Sequence, residues 1–196
     1  MYNHSIRRTT FGMDMVGSIC PTNNNNNTSV IRTRSPFLNH ILSQWSAYSK
    51  LCLKFYCIGG IIADYHHTFA DIGTVLGMLL HNLIRKNNLF RYSTAIVPMD
   101  GSLVRCCIDL SGRPGLHWTN NAKRNLFNPT LELIYTLLNS LVWNSNMNIH
   151  IDIIKLDSVH HVSEAIFKSF GVCLFRSMNS IQNIRSTKCY PITNWN

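Results

Sequence analysis

The sequence is short of negative charge. Nine Asp and Glu residues face 18 Lys and Arg, a formal net charge of +9. The bases are scattered and no aromatic RNA-binding motif interleaves them, so a nucleic-acid-binding module rests on charge alone. The imbalance reads better as lost carboxylates than as added bases, and it suits an anionic partner such as a phosphate ester. Long apolar runs are also missing. None reaches the ~18–20 residues that a membrane span needs, and the opening "MYNHSIRRTTFGMDM" has no signal-peptide core; no membrane association and a cytoplasmic location are expected. The seven cysteines (Cys20, Cys52, Cys57, Cys106, Cys107, Cys173, Cys189) form neither a CxxC pair nor an even framework. Most sit inside apolar runs, which reads as reduced core thiols in a reducing compartment.

What is present is a core-forming pattern. The 196 residues are 45% hydrophobic, enough for one sizeable domain or for two small halves sharing a core. In 64–86, Ile72, Val75, Leu76, Leu79, Leu80 and Leu83 recur at three- and four-residue steps and define one face of a helix. A second amphipathic helix is expected over 160–176, burying Ala165, Ile166, Phe170, Cys173 and Leu174. Between them "AIVP" and "LVRCCIDL" flank "MDGS", an Asp-Gly turn, and Val104, Cys106, Ile108 and Leu110 alternate as in a half-buried strand. "NNNNN" at 23–27 has no apolar content and reads as a loop between two short strands.

The two halves have the same layout. From Pro36 a helix and a strand lead to His66-His67, and from Pro129 a helix and a strand lead to His160-His161, with proline-to-histidine separations of 30 and 31 residues. Each half is preceded by two expected strands, at 6–19 and 28–34 and at 91–97 and 103–110. Strand-strand-helix-strand-helix, twice, predicts an internally duplicated α+β sandwich with helices on one face of mainly antiparallel sheets. The repeats are 6–86 and 91–176, followed by a C-terminal tail, 177–196. One unit is too small for a comfortable core, so the halves should fold together.

The histidine pairs carry the chemistry. In "HHVSE", His160 and Glu164 are four residues apart and share a helix face, whereas His161 points roughly 100° away. Such a motif can give two ligands to one cation and a third to another, and imidazole with carboxylate suits a borderline divalent metal such as manganese, zinc or iron. A single His-His pair is ordinarily a surface or cap feature. Two pairs at equivalent places in a repeat point to metal.

"DYHHTFADIGTVLG", "RYSTAIVPMDGSLVRCCIDLSGRP" and "SVHHVSEAIFKSFG", with "PFLNHILSQ" and "RSTK", resemble the signature segments of the imidazoleglycerol-phosphate dehydratase family of histidine biosynthesis, over about Arg8 to Lys188. The resemblance implies a ribosomal-protein-S5 domain-2-like sandwich, a homo-oligomer on the order of 24 subunits, and two manganese ions (Mn2+) per active site held between subunits. It implies dehydration of imidazole glycerol phosphate to imidazole acetol phosphate, with the cations acting as Lewis acids and as a template. One metal would take His40, His67, His160 and Glu164, with Glu164 and His67 also the candidate catalytic residues. The other would take His66 and His161 with a carboxylate at position 70 and a histidine at position 136. Here those positions hold Ala70 and Thr136, so the second site lacks two ligands. The phosphate would be held by Gln44, Arg91, Arg113, Lys168, Ser186 and Lys188, the donors that a dianion requires. Further departures are Gly12 where an acid belongs, although Asp14 is close by, Asn39 before His40, Tyr48 for a histidine, and Tyr65 and Gly101 at acidic positions. The expectations are therefore a metal-dependent dehydratase with one depleted site, or a homologue that keeps the fold and one metal without turnover.

Overall fold

The computed structural model describes residues 4–10, 13–22, 28–59, 65–86, 89–120 and 128–179. The chain runs β1 (His4–Thr10), β2 (Met13–Pro21), β3 (Val30–Arg32), α1 (Pro36–Ser49), β4 (Leu51–Gly59), α2 (Tyr65–Lys86), β5 (Tyr92–Met99), β6 (Ser102–Asp109), β7 (Gly115–Asn120), α3 (Pro129–Ser145), β8 (Asn148–Lys155) and α4 (Val159–Asn179). The two sheets have the orders β1-β2-β4-β3 and β5-β6-β8-β7. In each the last pair is parallel and the others are antiparallel. The fold is the expected duplicated α+β arrangement, and each unit carries one strand more than its pattern predicted. The stretch 6–19 divides into a hairpin. In the second half β7, six residues with no fully buried side chain, had no pattern of its own and is held by its parallel pairing with β8. The Asn-rich stretch at 23–27 lies outside the described residues.

Local sequence explains the helix ends. Ser35 caps α1 by accepting from Leu38 N–H, Pro36 occupies the first turn, and Lys50 closes the helix in the left-handed region at φ 55°. Asn128, Pro129 and Asn146 (φ 57°) repeat those three devices on α3. For α4, the Ser158 hydroxyl accepts from His161 N–H at 3.1 Å, a side-chain cap for an otherwise unpaired donor. The β5–β6 hairpin turns at Asp100, whose φ of 47° is one that Asp tolerates better than most residues.

Every residue expected on the inner faces of α2 and α4 is buried. These faces pack on the inward rows of the sheets, including Met15 and Ile19, Leu53 and Phe55, Val104 and Cys106, and Ile149 and Ile151. Each such side chain contributes roughly 1.5–3 kcal/mol on leaving water. The helices lie between the sheets and cross-pack between units, α2 on α3 and α1 on α4. Glycine permits the closest approach: a Cβ at Gly73 would run into the Leu137 carbonyl oxygen, and one at Gly77 would stand 2.5 Å from that of Leu141. On the other pair a Cβ at Gly171 would meet the Trp45 carbonyl oxygen at 2.9 Å, beside the stacked rings of Trp45 and Phe170, 6.0 Å apart. Among the described residues no helix is long and apolar enough to cross a membrane.

Candidate metal centre

The α1–α4 contact brings together residues far apart in sequence. His40 stands on the second turn of α1, while His160 and Glu164 lie one turn apart on α4. Nε2 of His40 and Nε2 of His160 are each 2.9 Å from the same oxygen, Oε1 of Glu164. The two rings stack at 5.6 Å with 11° between planes, so two imidazole nitrogens and a carboxylate oxygen converge. All three donor atoms lie within 4.8 Å of one another. The carboxylate is the floor, with Glu164 4% exposed, and the imidazoles open to solvent.

Charge is tuned to match. Burial pushes the Glu164 carboxyl upward, but hydrogen bonds from His40 and Lys168, and the charge of Lys168, outweigh it and lower the pKa to about 2. Glu164 is thus an anion throughout the physiological range. A permanent carboxylate with two imidazoles is a donor set for a borderline divalent cation, and these residues fit a manganese-type ion.

His161 points elsewhere, as the helix geometry predicts. Its Nε2 is 3.3 Å from Asp100 Oδ2 and its Nδ1 3.6 Å from Asp157 Oδ2. The second distance is too long for a hydrogen bond, consistent with a buried Nδ1 without a hydrogen-bond partner among the described residues. Gly101 makes room for this carboxylate, since a Cβ at 101 would sit 2.7 Å from Asp157 Cγ. Sequence reasoning passed over Asp100 and Asp157, although Asp157 stands one helical turn before His161.

His66 and His67 occupy the matching place on α2, exposed, their rings edge-on at 5.9 Å as those of His160 and His161 are at 5.9 Å. His67 is not in the group formed by His40, His160 and Glu164. The duplication assigns counterparts. Thr136 lies as far before the left-handed cap Asn146 as His40 lies before Lys50. Gly77 faces Leu141 and Asn144 as Gly171 faces Trp45 and Tyr48, which fixes the same register. On α2, Ala70 follows His66 as Glu164 follows His160. Where the α1–α4 pair has His40, His160 and Glu164, the α2–α3 pair therefore has Thr136, His66 and Ala70.

The phosphate candidates are dispersed. Gln44 is half-buried one turn beyond His40. Lys168 lies against Glu164, Nζ to Oε2 2.6 Å. Arg91 makes a two-pronged pair with Asp109, at 2.6 and 3.0 Å, and stacks over Tyr92 at 4.6 Å. It is at the start of β5, whereas Met99 at the far end touches Lys168; eight strand residues span roughly 25 Å. Arg113 is exposed between β6 and β7, outside the group formed by His40, His160 and Glu164 among the described residues. Ser186 and Lys188 lie outside the described residues, as does Gly12. Of the other departures, Asn39 Oδ1 accepts from the backbone N–H and the hydroxyl of Thr33, both at 2.8 Å; Asp14 pairs with Arg7, Tyr65 is exposed, and Tyr48 has its ring 5.7 Å from the Lys168 ammonium.

Comparison with known proteins gives one answer. The family model for imidazoleglycerol-phosphate dehydratase matches residues 33–174. The chain is 38% identical over 165 residues to the imidazoleglycerol-phosphate dehydratase of Staphylococcus saprophyticus, covering 82% of this chain and 86% of that one. It is 33% identical over 153 residues to that of Dictyoglomus turgidum, covering 78% and 80%. Among solved structures, the Staphylococcus aureus enzyme superposes with a TM-score of 0.75 at 32% identity, over 90% of this chain and 98% of that one. A ligand complex from Pyrococcus furiosus gives 0.77 at 26% identity, over 93% and 98%.

Proposed function

The chain belongs to the imidazoleglycerol-phosphate dehydratase family, and from that premise we propose that it removes water from imidazole glycerol phosphate at a divalent-metal centre whose in-chain half is His40, His160 and Glu164. The observation that carries this is the convergence of two Nε2 atoms on one carboxylate oxygen, each at 2.9 Å. A bound Mn2+ would supply Lewis acidity toward the substrate imidazole, easing loss of a carbon-bound proton before the hydroxyl departs. The residues provide the rest. Glu164 presents a fixed negative charge, and His40 and His160 would present their ring lone pairs to the ion. His67, from a second copy of the chain, completes the ligand set, which is why it stands apart from the triad within one chain. A homo-oligomer is then a requirement of the site. Arg91 and Arg113, like Gln44, Lys168, Ser186 and Lys188, supply donors for the phosphate, the arginines across the same kind of junction.

A second reading is favoured by Ala70 and Thr136. With neither carboxylate nor imidazole there, the α2–α3 counterpart retains His66 and a neighbour's His161, which supports a homologue that keeps the fold and one metal without turnover. One experiment separates the readings: purified protein is assayed for Mn2+-dependent formation of imidazole acetol phosphate, and its gene is tested in a histidine auxotroph. Product and growth are expected. Soluble, assembled, metal-loaded protein that gives neither would establish the second reading instead.

A further inference from the structure

Lys168 is placed for a task besides holding a phosphate. The residue is 8% exposed, and its ammonium lies 2.6 Å from Glu164 Oε2 and 3.2 Å from Met99 Sδ, with the Tyr48 ring 5.7 Å away. An ammonium in so dry a position is tolerable because a carboxylate meets it directly. The two oxygens of that carboxylate divide their work. Oε1 faces His40 and His160, each at 2.9 Å, and Oε2 faces Lys168. A carboxylate gripped at one oxygen loses rotation about its terminal bond, so the other oxygen stays aimed where the imidazoles converge. The four-residue spacing on α4 makes the grip rigid, because both side chains leave the same helix face.

We propose that Lys168 is a positioning residue for Glu164: it holds Oε2 so that Oε1 is presented to the cation, a task separate from any contact with the substrate phosphate. This rests on the metal reading above and goes beyond it, because the ammonium acts before any substrate arrives. Partners that orient a metal-binding side chain typically change affinity about 10–100-fold when removed.

The test uses full-length, metal-free protein without substrate, titrated with Mn2+ while free Mn2+ is followed by electron paramagnetic resonance. Lys168→Met should bind Mn2+ about 10–100-fold more weakly than wild type, and Lys168→Arg should recover most of the loss. Unchanged Mn2+ affinity in Lys168→Met overturns the proposal. A second arm needs no metal. In a thermal-unfolding cycle with Glu164→Gln, Lys168→Met should lower the midpoint by roughly 5–10 °C when Glu164 is intact and far less when it is combined with Glu164→Gln. Additive effects would also overturn it. Wild type that binds no Mn2+ defeats the metal reading, while the cycle still decides the lysine–carboxylate pair.

Discussion

Rebuilding the triad's counterpart on the α2–α3 pair is the most searching perturbation. Ala70 and Thr136 stand where Glu164 and His40 stand in the other helix pair, and both positions are partly exposed, so Ala70→Glu with Thr136→His adds ligands without overfilling the core. If His66 and a neighbour's His161 already face that point, the pair should take metal content from about one to about two Mn2+ per chain. The gain should also appear in stability. A site filled at a hundredfold excess over its dissociation constant adds about 2.7 kcal/mol; for a chain of this size that is roughly 5–10 °C in the Mn2+-dependent part of Tm. Elemental analysis and thermal unfolding with and without Mn2+ measure both. Neither single change should deliver more than a minor part, because one added ligand leaves the set incomplete. A double variant that folds and assembles yet binds no second ion, or a single variant that does as well as the double, would refute the pseudo-symmetry on which the reasoning depends.

Two more outcomes follow from the structure. Glu164 titrates near about 2 in the folded chain against 4.5 for an ordinary glutamate, so its contribution, about 3 kcal/mol in the metal-free protein, is complete above the unfolded value and lost as pH falls toward the folded one. Urea unfolding should show roughly 2 kcal/mol lost from this group between about pH 5 and pH 3; an identical pH dependence in Glu164→Gln would contradict this. Gly73→Ala should destabilise by roughly 1–3 kcal/mol because its methyl group meets the Leu137 carbonyl oxygen, although alanine is the better helix former by about 1 kcal/mol. A raised Tm would show that α2 and α3 do not approach as described.

The fold was legible where periodicity is strong. The inner faces of α2 and α4, the Asp100 hairpin and the duplication all follow from apolar spacing and turn chemistry, because burial selects those residue types at fixed intervals. β7 left no such mark, since its partly exposed side chains let the parallel pairing with β8 decide its conformation. At the site, the four-residue spacing of His160 and Glu164 announced a shared ligand point. His40, 124 residues distant from Glu164, entered through family resemblance, because only the α1–α4 packing brings the two together. The four-residue spacings of Glu164 with Lys168 and of Asp157 with His161 were open to reading, whereas the engagement of Arg91 by Asp109 and of His161 by Asp100 depends on tertiary geometry that spacing does not encode. The absence of His67 from the triad reflects a different limit. The proposed function assigns its partners to another copy of the chain, which no spacing within one sequence specifies.

The central claim is that His40, His160 and Glu164 grip one divalent cation. Anomalous diffraction at the manganese edge from Mn2+-soaked crystals tests it most directly. The account predicts a strong peak roughly 2.0–2.3 Å from both histidine Nε2 atoms and from Glu164 Oε1, and weak or no density beside Ala70. Manganese found elsewhere, with the two imidazoles still hydrogen-bonded to the carboxylate, would contradict it.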